Sequence, residues 1–271
     1  MHKVNSFCDA KRTGNAHQVS LVNSFSRYAE GVELSKRISP HIAVEILLNK
    51  VAGTAELRFY HNAREVLNCG SGTLAAAYYL LNKIAIPLSQ LLALKIITRY
   101  GETLLTARPA IKSAESGALL GLKKKLLPPA KIQRVNPGFW QYVLGAVPNA
   151  LFTVGAGHEY LLAEFASADE IHALQPNMNR LARLTRRALI VTAKSQKSNY
   201  VMRYFAPQFG NPEDVATGSV NFILMQYWWK TRRNNWLQGI QLSSGGGSFL
   251  GRVNGKFVEL YGEAKHIGNQ C

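Results

Sequence analysis

The sequence predicts an α/β (α+β) chain of two pseudo-symmetric lobes, each a mixed sheet wrapped around one central helix. Three observations predict it. A unit of strand, polar loop, glycine-rich turn and apolar helix occurs twice. The helix of each copy is apolar nearly all round, the pattern of a helix buried on every side. Each copy then continues into another apolar strand and a Gly-containing turn. A repeat of this kind has to be found before any other feature is weighed, because missing it misassigns the fold.

In the first copy, Glu56-Leu57-Arg58-Phe59-Tyr60 alternates as a strand and leads to Asn68-Cys69-Gly70-Ser71-Gly72-Thr73 and the helix-forming run LAAAYYLLNK. In the second, Val201-Met202-Arg203-Tyr204-Phe205 leads through Pro207 and Pro212 to Ala216-Thr217-Gly218-Ser219 and then VNFILMQYWWK. The step from Phe205 to Thr217 is two residues longer than that from Phe59 to Cys69, a small insertion. Residues 94–107 (LKIITRYGETLLTA) then match 239–253 (GIQLSSGGGSFLGRV). Between the copies, residues 123–139 are rich in Pro and Lys and mark a lobe boundary. The lobes are therefore expected at 1–125 and 126–271, with the last strand able to cross back to the first.

Bulk properties exclude several classes. With 271 residues and 47% hydrophobic content the chain can bury a sizeable core. The three cysteines, Cys8, Cys69 and Cys271, are odd in number and far apart, which fits neither a disulfide framework nor a zinc site. A reducing, cytoplasmic location is expected, since the N-terminus turns polar within a few residues and lacks a signal-peptide core. Apolar runs such as 84–97 and 220–229 fall short of the roughly 18 residues of a spanning helix, so no membrane partner is expected. The net charge of +16 raises the question of a polyanion, but the basic residues lie in short scattered groups such as Lys123-Lys124-Lys125, Arg186-Arg187 and Arg232-Arg233. They form no basic helix or nucleic-acid motif, so a solvated basic surface is expected and a nucleic-acid partner is not.

The glycine-rich turns are the first candidates for chemistry. A turn that opens a helix gathers unpaired backbone N–H groups at the positive end of the helix dipole, which suits a carboxylate. Gly70, Ser71, Gly72, Thr73, Thr217, Gly218 and Ser219 are thus expected to bind substrate, or else to be small for packing. Cys69 begins the first helix, a position that lowers a thiol pKa, though a buried cysteine is also a common core filler. Its counterpart Thr217 is no comparable proton carrier. Acidic residues are few, and two stand out. Glu45 interrupts the apolar run 42–48, where burial would raise its pKa toward that of a general base, unless it merely points to water from an edge strand. Asp214 precedes the second turn, as a catalytic carboxylate or a helix cap. His17 lies near a turn that lines the cleft. His2, His41, His61, His158, His172 and His266 form no metal-binding or triad grouping, so no metal is predicted. Dinucleotide, P-loop and nucleophile-elbow signatures are missing as well.

Taken in order, these motifs resemble the PhzF-like family of phenazine biosynthesis, whose fold is shared with diaminopimelate epimerase and proline racemase. VNSFCDAKRTGNAHQVSLV is similar to its opening strand and Gly-Asn-Pro turn, with Ala16 in place of Pro. NCGSGTLAAAYYLL resembles CGHxTLAAA, and FAPQFGNPEDVATGSVNFILMQYWW resembles FAPxxGIxEDPVTGSAH. LQGIQLSSGGGSFLGRVNGKFVELYGEA resembles the closing pattern. The resemblance implies an isomerase that moves a proton on a small carboxylate-bearing substrate by acid/base catalysis. It also implies no metal or organic cofactor, and a homodimer. The family's catalytic Glu falls on Glu45 by its distance from the 58–60 strand, while Leu34-Ser35-Lys36 mimics the motif but offers Lys. Its Asp and Ser fall on Asp214 and Ser219. Against the epimerases, Cys69 matches the first catalytic cysteine and Thr217 stands at the second. Two departures are expected to alter the chemistry: Ser71 replaces the His of the CGH turn, and Gly245 the Arg of the R-G-G turn. A Cys-dependent amino-acid racemase and a basic binding protein that has kept the fold without the chemistry are the two rival expectations.

Overall fold

A computed structural model describes residues 1–39, 41–109, 118–126, 131–155, 159–232 and 236–267. Cys271, His158, Arg233 and part of the 123–139 segment lie outside them. The first half sets β1 (His2–Cys8) against β2 (Asn15–Leu21), then β3 (Ile42–Asn49), β4 (Thr54–His61), β6 (Lys95–Thr98), β7 (Gly101–Pro109) and β8 (Ala118–Lys125), with β5 (Arg64–Val66) beside β4. Along that ladder the pairings run antiparallel, parallel, antiparallel, parallel, antiparallel, antiparallel.

The second half repeats the same order of senses. It runs through β10 (Ala150–Val154), β11 (Tyr160–Phe165), β12 (Ala188–Lys194), β13 (Tyr200–Phe205), β14 (Leu237–Gln241), β15 (Gly247–Asn254) and β16 (Phe257–Tyr261). The internal repeat read from the motifs therefore extends through seven strands of each half. β9 (Lys131–Gln133) flanks β10 as β17 (Glu263–His266) flanks β1, so the C-terminal strand pairs with the first. β8 pairs with β16, which joins the two halves in one ladder.

Each half folds over one buried helix. α2 (Gly70–Asn82) packs on β1, β2, β3 and β8, and every residue from Gly70 to Leu80 is buried. Its Ala75-Ala76-Ala77 run has high helix propensity and lets the sheet approach closely. Burial of a side chain such as Leu74 or Leu80 contributes about 1.5–3 kcal/mol. α7 (Gly218–Arg232) packs on β14, β15 and β16. Its inward polar atoms find partners: Asn221 donates to the Thr217 carbonyl at 2.8 Å and accepts from the Tyr200 hydroxyl at 2.6 Å. The Trp228 indole donates to Thr192 Oγ1 at 3.0 Å. Smaller helices cover the outer faces: α1 (Tyr28–Arg37) and α3 (Leu88–Ala93) in the first half, α4 (Pro137–Leu144), α5 (Ala168–Ala173) and α6 (Met178–Leu184) in the second. Among the described residues no helix is long and apolar enough to cross a membrane.

Both central helices begin at the glycines of their turns, the first directly after Cys69, as expected. Cys69 is the N-cap of α2: its Sγ accepts from the Gly72 amide at 3.3 Å, and its carbonyl accepts from the Thr73 hydroxyl at 2.8 Å. A glycine-rich turn bonded in this way is the helix's first turn, not a loop ahead of it.

Candidate active site

The two glycine turns meet backbone to backbone. A Cβ on Gly70 would lie 3.2 Å from the Ser219 amide nitrogen and 3.3 Å from the Gly218 carbonyl carbon, and one on Gly218 would lie 2.6 Å from the Phe7 ring. Glycine at both positions is what lets two helix N-termini approach so closely. In front of them is a cavity of about 220 Å³ whose walls include Asn15, Cys69, Ser71, Asp214, Thr217 and Ser219. A second cavity of about 810 Å³ shares Val66, Asn68 and Ser219 with it and adds Lys124 and Phe222. A larger surface groove between residues 166–169 and 194–199 contains none of these side chains.

Cys69 faces this cavity as a thiol. Burial pushes its pKa up, hydrogen bonding with the Ser71 side chain and the Gly72 amide offsets part of the rise, and the Asp214 charge adds to it. The helix N-terminus was expected to favour a thiolate, and that expectation is corrected. Removing the sulfur from water outweighs those hydrogen bonds and a dipole.

Asp214 faces it from the opposite turn. Its Oδ1 accepts from the Val215 amide at 3.1 Å and from Asn15 Nδ2 at 3.4 Å, and its Oδ2 accepts from the Thr217 hydroxyl at 2.6 Å. Gln241 holds the same loop, donating to the Asp214 carbonyl at 2.5 Å and accepting from the Thr217 amide at 2.7 Å. Next to it, Arg203 grips Glu213 through two nitrogens, at 2.7 and 2.9 Å, and donates to the Leu174 carbonyl at 2.7 Å. These contacts fix a segment that would otherwise be a mobile loop. They also change the reading of Thr217. Its hydroxyl and amide are committed within the protein, so it orients Asp214.

Of the other turn residues, Gly70, Ser71, Gly218 and Ser219 line the smaller cavity, while Gly72 and Thr73 do not. The Gly72 amide is taken by Cys69, and both the amide and the hydroxyl of Thr73 by the Cys69 carbonyl. The structure does not bring Glu45 to either cavity. Side chains alternate across a strand, and Ile42, Val44 and Ile46 face the core, so Glu45 projects from the other side of β3. There its carboxylate accepts from the amide and the hydroxyl of Ser26, just ahead of α1, at 3.2 Å from the amide. It is a buried anchor for the loop that enters α1. Glu45→Gln is expected to cost about 1.5–3 kcal/mol in chemical denaturation, the range for hydrogen bonds to a charged group, and to leave turnover within about three-fold of wild type, because proton-transfer groups are worth far more.

Three participants were not assigned from the sequence. Asn15 is buried and its Nδ2 lies 3.3 Å from Ser71 Oγ and 2.9 Å from the Ala216 carbonyl, tying both turns together. The Gly-Asn turn of the N-terminal motif was its signal. Lys124, read as surface charge, places its Nζ 3.3 Å from Asn68 Oδ1, and burial lowers its pKa while Cys69 raises it. Gln241, in the closing motif, holds Thr217. Gly245 is explained by conformation: its φ is +79° and a Cβ there would lie 2.5 Å from Thr13 Oγ1. Its carbonyl accepts from the Thr13 amide at 2.9 Å, linking the closing turn to the opening one.

His17 is wholly buried on β2, and burial lowers its pKa to about 4. The fold therefore holds it neutral, whereas the unfolded imidazole titrates near 6.5. As the pH falls below that value the unfolded chain binds a proton that the fold refuses. Stability present at pH 7 is then lost progressively down to about pH 4. Urea unfolding is expected to show about 2 kcal/mol less stability at pH 5 than at pH 7 from this residue, a share that His17→Leu removes. Among the described residues no three His, Cys, Asp or Glu side chains gather as a metal site.

Comparison with known proteins places the chain in a family. Residues 46–254 match the family model described as phenazine biosynthesis-like protein. A Pseudomonas aeruginosa protein named an uncharacterized isomerase is 30% identical over 276 residues, covering 97% of this chain and 94% of its own. The crystal structure of a PhzF-family phenazine biosynthesis protein from Enterococcus faecalis superposes with a TM-score of 0.84 at 21% identity, covering 98% of this chain and 96% of that one. A hydroxyproline epimerase from Agrobacterium vitis shares the fold at a TM-score of 0.61 and 10% identity, covering 98% and 90%. The duplicated ladder, the paired glycine turns and the sequence match through both halves make this chain a member of the phenazine biosynthesis-like, or PhzC/PhzF, family.

Proposed function

We propose that this protein is a cofactor-independent isomerase that shifts a proton on a small carboxylate-containing substrate, with Asp214 as the base and Cys69 as the acid. The observation that carries the reading is that the Asp214 carboxylate and the Cys69 thiol face one cavity from opposite turns. The isomerase names of the relatives support it as well.

The substrate's carboxylate lies against the first-turn amides of the two helices other than those of Gly72 and Thr73, which Cys69 takes. Asp214 takes a proton from a carbon next to an activating group, and the electron pair moves into that group. Cys69 delivers its thiol proton to the substrate at the second position. This leaves a protonated Asp214 and a Cys69 thiolate, and loss of the Asp214 proton to solvent with uptake of a solvent proton by the sulfur restores the starting state. The Lys124 ammonium attracts the thiolate while it exists, an interaction strengthened by burial. Helix dipoles and fixed amides in an enclosed cavity supply the charge stabilisation that such a carbanion requires.

The test is solvent-deuterium incorporation, followed by NMR, across a panel of amino acids, hydroxy acids and cyclic unsaturated carboxylic acids. Catalysed exchange into one class is expected. Wild-type protein that exchanges none of them would contradict the reading.

A further inference from the structure

His17 and Ser71 form a hydrogen-bond chain that ends on Cys69, and the chain can run in only one direction. His17 Nδ1 lies 3.2 Å from the Val4 carbonyl oxygen. A carbonyl only accepts, so Nδ1 carries the hydrogen. In the neutral ring Nε2 is then a bare lone pair, and it lies 3.1 Å from Ser71 Oγ. Ser71 has one hydroxyl hydrogen, and Nε2 takes it. Toward its other neighbours, Asn15 Nδ2 at 3.3 Å and Cys69 Sγ at 3.4 Å, Ser71 has only lone pairs to offer. Asn15 donates to one. Cys69 can satisfy the other only as a thiol, with S–H pointing to oxygen, while its sulfur accepts from the Gly72 amide. A Ser71 hydroxyl turned to the sulfur would lower the thiol pKa, but its one hydrogen is held by His17 Nε2.

We propose that His17, acting through Ser71, holds Cys69 in its protonated form, so that both are positioning residues for the proton-returning acid. The inference rests on the isomerase reading above. It also accounts for Ser71 at a position where the family resemblance expects His: the imidazole is supplied from β2, one hydroxyl further from the sulfur. Moving the thiol proton through Ser71 to His17 would create a thiolate beside an imidazolium, both away from water, and burial opposes each charge. The other charges near the chain do not reverse its direction. Asp214 and Lys124 face Cys69 with opposite effects, and His41 and His61 both disfavour a charge on His17.

The experiment is a pH titration of Cys69 by thiolate absorbance in the full chain without substrate, with the Cys69→Ala profile subtracted. Ser71→Ala removes an acceptor from the thiol. It is expected to raise the thiolate fraction at a given pH roughly 2- to 10-fold, the scale of one hydrogen bond. His17→Leu frees the Ser71 hydroxyl to turn to the sulfur and is expected to raise it further, and adding Ser71→Ala should abolish that extra gain. A Ser71→Ala titration shifted the opposite way, or unchanged, overturns the proposal even if His17→Leu does not fold. The titration needs no turnover, so its failure leaves the roles of Asp214 and Cys69 intact. Failure of wild-type exchange beside an as-expected titration would instead overturn the isomerase reading.

Discussion

Replacing Cys69 with alanine is expected to slow isomerisation by about 10²- to 10⁴-fold, the range for a positioned proton-transfer group. The side chain is small, and the helix keeps its Thr73 hydroxyl bond to the residue 69 carbonyl. Stability should therefore fall by only about 1 kcal/mol, the cost of a lost N-cap acceptor. The loss should appear in kcat at unchanged KM, because the carboxylate is held by the backbone amides of the turns. Cys69→Ser keeps a cap oxygen in place of sulfur, but its alcohol is a far weaker acid than a thiol, so it should restore stability without restoring rate. Progress curves and urea unfolding on the same samples measure both quantities.

Asp214→Asn is expected to cause a loss of the same size, about 10²- to 10⁴-fold, for a different reason. The amide oxygen can still accept from the Val215 amide and Asn15 while the Thr217 hydroxyl turns to accept from the new NH2, so the loop can stay in place, but no carboxylate remains to receive the substrate proton. Stability should drop only slightly, since Arg203 and Glu213 anchor the segment independently. Groups that act as a unit are not additive. The Cys69→Ala, Asp214→Asn double variant should therefore be within about ten-fold of the slower single variant. A fully multiplied loss would mean that the two residues act separately. Glu45→Gln, remote from the cavity, is the control in the same assay.

Much of the fold was legible because its evidence is local. Strand alternation at 56–60 and 201–205, the glycine turns and the all-round apolar helices are each set by short-range chemistry, and their recurrence gave the duplication. The helix starts at the glycine turns were legible although glycine has low intrinsic helix propensity, and the Cys69 cap and the tight meeting of Gly70 with Gly218 hold them there. Glu45 shows where local reading fails. An acid within an apolar strand looks poised for catalysis on the page, but the strand's two-residue period, set by which face meets the core, turns it away toward Ser26. Lys124 and His17 illustrate the converse. Each is distant in sequence from the turn residues it approaches, so neither Lys124 beside Asn68 nor His17 against Ser71 has a signature in any short window. Burial also reversed the expected state of Cys69, and the desolvation of one atom depends on every element packed around it.

The most direct test of two residues dividing one proton transfer is the origin of the proton in the product. With the substrate identified by exchange, the reaction is run in D₂O and stopped at low conversion. Mass spectrometry and NMR then locate deuterium in the product and in the unreacted substrate. If Asp214 removes the proton and the solvent-equilibrated thiol of Cys69 supplies another, each product molecule carries one solvent deuteron at the new position and the remaining substrate carries none. Product that retains the substrate's own proton would show one group both taking and returning it, and would contradict the pairing of Asp214 with Cys69.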